Sequence, residues 1–170
     1  GNPYVGVSWS KPGSSAIYEF GARPPLMGDK NWLASEFGIL TIPDRLEAFA
    51  VKTYSLRFLT GYRYESAGNV VTRLLAGPTL FHQDVEGAET EVFIDHRVEV
   101  WADLQRFYFG GAYAGRFLAT NDADFGDRFT GQFMLAGGPK FGSMQAGVNL
   151  IIPMDDFVSS IVNFVIGVHF

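Results

Sequence analysis

The stretch FYFGGAYAGRF, residues 107–117, sorts its side chains by parity. Odd positions carry Phe107, Phe109, Gly111, Tyr113, Gly115 and Phe117; even positions carry Tyr108, Gly110, Ala112, Ala114 and Arg116. A period of two reads as a β-strand, because successive side chains leave opposite faces of a sheet. Bulky rings on one face and small residues with one charge on the other require two different surroundings.

The same rhythm runs along almost the whole chain. Ten segments read as strands: 4–10, 15–22, 32–42, 47–64, 69–81, 91–104, 107–120, 128–137, 141–153 and 157–170. Turn-forming stretches such as SKPGSS, RPPLMGDK, ESAG, NDADFGD and GPKFG separate them. The best helical patch is DRLEAFAVK, 44–52. On 54–64, Tyr54, Leu56, Phe58, Thr60, Tyr62 and Tyr64 oppose Ser55, Arg57, Leu59, Gly61 and Arg63. On 92–104, Val92, Ile94, Val98, Val100 and Leu104 oppose Asp95, Arg97, Glu99 and Asp103.

Composition narrows the class. The chain has 170 residues, enough for one domain, with 47% hydrophobic and 18% charged residues, below the usual charged share of about 25%. It is not a disordered composition. The net charge of −5 gives no nucleic-acid footprint. Cys is absent, which removes disulfides, thiolate metal sites and cysteine nucleophiles. No run reaches the ~18 apolar residues of a membrane helix. Gly1 reads as a processed start, with a signal peptide already removed.

Size decides which face points where. In a soluble barrel the apolar face turns inward; in a membrane barrel it turns to lipid. Here the second face is rich in Gly, Ala, Ser and Thr, which suit the crowded inside of a narrow barrel. A soluble barrel would display many Lys and Glu, yet Lys and Arg together number 13. With the carboxyl end on the periplasmic side, the connections at 11–14, 43–47, 82–91, 121–128 and 154–156 fall on the outer side and gather most loop acids. Tyr62, Tyr64, Phe107, Phe109, Phe141 and Phe170 then fall near one rim, and Phe117, Phe129 and Phe157 near the other. Two aromatic girdles are what membrane interfaces favour.

The final segment FVSSIVNFVIGVHF, 157–170, alternates Val162, Phe164, Ile166, Val168 and Phe170. It resembles the closing strand of small bacterial outer-membrane β-barrel proteins. The resemblance implies that Phe164, Ile166, Val168 and Phe170 form the signal read by the barrel-assembly machinery. It also implies an all-β, antiparallel up-and-down transmembrane barrel of 8–10 strands, even in number, with both termini periplasmic. Residues 1–170 form one domain, with 1–30 as a candidate extra hairpin. The implied location is the bacterial outer membrane. The implied partners are its lipid and lipopolysaccharide, the assembly machinery and other envelope proteins.

The inward face collects Arg57, Arg63, Arg73, Arg97 and Arg116 against Glu36, Asp95, Glu99 and Asp103. Buried charges persist only when paired, so a lumen-filling ion network is expected. No catalytic residue, metal or cofactor is assigned. His82, His96 and His169 lack metal-ligand spacing. His82 with Asp84, or Asp95 with His96, beside Thr90 is the one arrangement with acid–base character. NDADFGD, 121–127, misses the calcium-loop pattern. A structural, envelope-integrity or partner-binding role is the leading expectation. A lipid A acyl-modifying enzyme is the first alternative, followed by a narrow channel and a soluble calycin-like binder.

Overall fold

A computed structural model describes residues 2–11, 13–26, 28, 46–120, 128–142, 144–154 and 163–169. Nine strands form one sheet: β1 (Val5–Ser10), β2 (Ala16–Arg23), β3 (Thr53–Glu65), β4 (Val70–Gln83), β5 (Thr90–Asp103), β6 (Phe107–Leu118), β7 (Phe129–Phe141), β8 (Met144–Pro153) and β9 (Asn163–His169). Each strand pairs antiparallel with the next, in strict sequence order. A single turn of helix, α1 (Leu46–Phe49), precedes β3. Lys52, with φ of 51°, turns the chain from that helix into the strand. Among the described residues no helix is long and apolar enough to cross a membrane.

Nine of the ten expected segments are therefore strands, and the tenth, 32–42, lies outside the described residues. It cannot sit between its expected neighbours, because β2 and β3 pair directly from Ala16↔Tyr62 to Arg23↔Ser55. This changes the arithmetic of the ends. Among the described residues the strands number nine, an odd count that differs from the even one expected, and β1 starts and β9 finishes at opposite ends of the sheet. Turns 11–15, 66–69, 104–106 and 142–143 share one end, here the turn end. The connections 24–52, 84–89, 119–128 and 154–162 share the other, the loop end. The turn at 11–14 thus sits opposite the side expected for it, and Arg23 lies at the loop end, donating to the Asn2 carbonyl at 3.0 Å.

Parity controls burial throughout. Tyr54, Leu56, Phe58, Tyr62 and Tyr64 of β3 are exposed, whereas Thr53, Ser55 and Leu59 are buried. Ile94, Val98 and Val100 of β5 are exposed while Asp95 and Glu99 are buried. The concave side holds the polar and small residues, with Phe93, Trp101, Tyr108, Ile151 and a compact apolar cluster of Ile17, Leu59 and Leu75 among them. The convex side holds most of the large apolar ones. Globular folding in water does the reverse, and a broad exposed apolar surface marks contact with something other than water. The rims agree with the expected girdles: Tyr62, Tyr64, Phe107, Phe109 and Phe141 lie at the turn end and Phe117 and Phe129 at the loop end. Phe157 and Phe170 lie outside the described residues.

Curvature has an identifiable source. The β3–β4 ladder lapses between Arg57↔Thr79 and Thr60↔Ala76, at Gly77–Pro78. The β7–β8 ladder lapses between Gly137↔Val148 and Lys140↔Gln145, at Gly138–Pro139. Proline cannot donate to a ladder, and glycine admits the close backbone approach that a bend requires. A Cβ at Gly77 would meet the Phe58 carbonyl oxygen, and one at Gly138 the Ala146 carbonyl oxygen. Gly77→Ala and Gly138→Ala are each expected to lower folding stability by about 1–3 kcal/mol, since neither backbone can yield cheaply. Gly68→Ala, at a turn with open space, should be neutral. Denaturant titration of the folded form distinguishes them.

Candidate functional site: the concave ion network

The centre of the concave face is Asp95, on β5, with only 3% of its surface exposed. It accepts from Arg116 Nε at 2.7 Å and Nη2 at 3.3 Å, and from the Thr79 hydroxyl at 2.7 Å. Arg57 Nε lies 3.1 Å from its other side. Four strands, β3 to β6, thus converge on one carboxylate. The register places them there: Asp95 is opposite Arg116 on β6 and Gly77 on β4, while Arg57 is opposite Thr79. The missing side chain at Gly77 lets the β3 backbone at Phe58–Leu59 come close to β4. The Arg116 guanidinium also sits 5.0 Å over the Phe93 ring, a favourable placement for a cation in a site with little water.

A second cluster lies toward the turn end. Glu99 receives Arg73 Nη1 at 3.3 Å, Arg97 Nη1 at 3.4 Å and the Trp101 indole at 3.3 Å. Arg73 also reaches Glu19 on β2 at 3.6 Å. The Trp101 ring packs where a Cβ at Gly110 would stand, and the Tyr108 hydroxyl packs over Gly147. Interior glycines thereby make space for the aromatic side chains that fill the concave side.

Six of the nine expected network residues, Arg57, Arg73, Asp95, Arg97, Glu99 and Arg116, belong to these adjoining clusters. Arg63 and Asp103 do not: Arg63 pairs with Glu65 and Asp103 with Lys140, both at the turn end. There they line a polar recess of about 380 Å³ with Ser66, Asn69 and Gln105. Glu36 lies outside the described residues. Glu19 and Thr79 were missed as partners, although the parity of β2 and β4 places each on the charged face.

The histidines separate. Asp95 and His96 are sequence neighbours and so face opposite sides, which removes them as a pair. His96 lies on the convex face among Tyr113 and Phe129, at centroid distances of 5.6 and 5.8 Å. His82 Nδ1 does meet the Thr90 hydroxyl, at 3.1 Å, on the exposed convex face of the loop end. The side chain of His169 and the whole of 121–127 lie outside the described residues. Among the described residues no group of three His, Asp or Glu gathers to hold a metal. On β9, Ile166 pairs with Val148 and is 82% exposed, with Phe164 and Val168 at the flanking same-parity register positions opposite Leu150 and Ala146. Phe170 lies outside the described residues.

No protein-family description, no characterised protein and no solved structure matches this chain.

In the network carboxylates face guanidinium groups, while the buried Nε atoms of Arg57 and Arg73 have no hydrogen-bond partner among the described residues. Its chemistry is cohesion. Asp95→Ala strands two cations, and breaking one member of a buried pair costs about 3–5 kcal/mol. Asp95→Ala combined with Arg116→Met is expected to recover part of that loss. A double-mutant cycle on folding midpoints checks the coupling.

Proposed function

We propose that this chain is a small integral outer-membrane β-barrel with a structural, envelope-integrity or partner- or ligand-interaction role and no evident catalysis. The observation that carries the reading is the inverted burial. A convex surface of Phe58, Leu74, Leu80, Val98, Phe109 and Leu135 is exposed, while Asp95, Glu99 and Arg116 are buried behind it. In a bilayer this order has a physical reason. Lipid solvates the apolar side, and closure gives each backbone donor and acceptor a partner. A calycin-like soluble barrel requires the opposite order. The aromatic rims fit headgroup depth. On this reading the partners are membrane lipid, lipopolysaccharide, the barrel-assembly machinery during biogenesis and other envelope proteins. The paired charges fill the concave side and leave a poor conduit for ions.

Fractionation and gel mobility test the proposal together. The protein should stay in the outer-membrane fraction through high-salt washing and should migrate faster unboiled than boiled. A soluble, heat-insensitive protein would refute it.

One observation favours a second reading, a lipid A acyl-modifying enzyme. Thr90 and His82 form a hydroxyl–imidazole pair at the loop end, facing outward. A histidine base normally takes its orientation from a carboxylate, and no such hydrogen bond to His82 appears among the described residues. The leading reading therefore expects His82→Ala to leave the lipid A profile of producing cells unchanged. A lost modification, restored by the wild-type chain, would favour the enzyme.

A further inference from the structure

Among the described residues both edges of the sheet are bare: β1 pairs with β2 alone and β9 with β8 alone. All six residues of β1 are exposed, on both faces, and Ile166 and Gly167 of β9 are exposed as well. An open edge carries a row of backbone donors and acceptors without partners, which hydrocarbon does not tolerate. On the membrane reading above, these edges need a strand beside them.

Strand direction narrows what that strand is. With the nine described strands in strict alternation, β1 and β9 run in the same direction. Two copies inserted the same way up cannot join β1 to β1 antiparallel, because that contact turns one copy upside down. The edges that match in direction are β1 and β9. They match in length too, at six and seven residues. They also match in facing: Val5, Val7 and Trp9 share the convex side through Ala22, Phe20 and Tyr18, as Ile166 does through Val148.

We infer that β1 and β9 of one chain close the barrel through a parallel seam, with Val7 beside Ile166. The stagger of the sheet supports this register. A hydrogen-bonded row drawn from Ile166 passes Val148, Gly137, Phe109, Ala102 and Val70, and leaves β3 at Ser66, beyond the strand. Carried on in the same register through β2, it returns to the β1 line about eight residues past Val7. Every barrel needs such a displacement to close. Eight residues of about 3.3 Å across nine spacings of about 4.8 Å tilt the strands by about 31°, just under the common range of about 35–45°. Placing Val5 beside Ile166 would raise the tilt to about 37° but leave only four residues of β1 against β9. The Val7 register overlaps all six.

The chain contains no Cys, so introduced thiols report alone. Facing residues on paired strands lie about 5 Å apart, within disulfide reach. The double variant Val7→Cys with Ile166→Cys, in native membranes under mild oxidation, should form an intramolecular disulfide in most molecules. Val5→Cys with Phe164→Cys should do the same and guards against one pair failing to fold. Phe58→Cys with Ile166→Cys should stay reduced. Membrane-held protein with both edge thiols free would overturn the seam while leaving the membrane reading intact. So would a disulfide that joins only two copies, including one from Val7→Cys alone. Protein recovered as soluble would remove the membrane reading and the seam with it.

Discussion

Everything on the concave side is arranged around the Asp95 carboxylate. A buried charge is costly unless it is paired and hydrogen-bonded, and Asp95 is both, through Arg116, Thr79 and Arg57. Those partners come from three strands, β3, β4 and β6, which with Asp95 on β5 make four consecutive strands whose mutual register the contact fixes. A one-residue slip in any ladder would carry a charge to the convex face and an aromatic ring to the concave one. The glycines follow from the same constraint. Gly77 admits the β3 backbone at Phe58, while Gly110 and Gly147 admit Trp101 and Tyr108.

The rhythm of the fold was legible in the amino-acid sequence because period-two alternation is a local property. Each of the nine strands falls on a segment that alternation picks out, and the girdle residues fall at the rims where parity and turn spacing put them. Strand order was less legible. The segment 32–42 alternates as convincingly as its neighbours, but pairing is a long-range choice, and β2 takes β3 as its partner instead. Placing 32–42 between β2 and β3 displaced the turn at 11–14 to the wrong end.

The charge network shows the same division. Parity alone put Arg57, Arg73, Arg97, Glu99 and Arg116 on one face. It could not say that Arg63 and Asp103 sit too far toward the turn end to join them, because height along a strand depends on the stagger between strands. Glu19 was passed over for a related reason: it is a lone acid on a short strand, and only the β2–β3 register brings it within reach of Arg73. Asp95 and His96 illustrate a rule that needs no structure. Adjacent strand residues face apart, so they do not act together.

The central claim is that the convex face meets lipid and the concave face does not. Site-directed spin labelling measures this directly. Single labels at 58, 74, 98 and 135 on the convex face and at 79 and 112 on the concave face would be compared in protein reconstituted into bilayers. The account predicts that convex labels collide readily with oxygen, which concentrates in hydrocarbon, and hardly at all with a water-soluble nickel chelate. Labels at 79 and 112 should be shielded from both. Convex labels that respond chiefly to the nickel reagent would contradict the account.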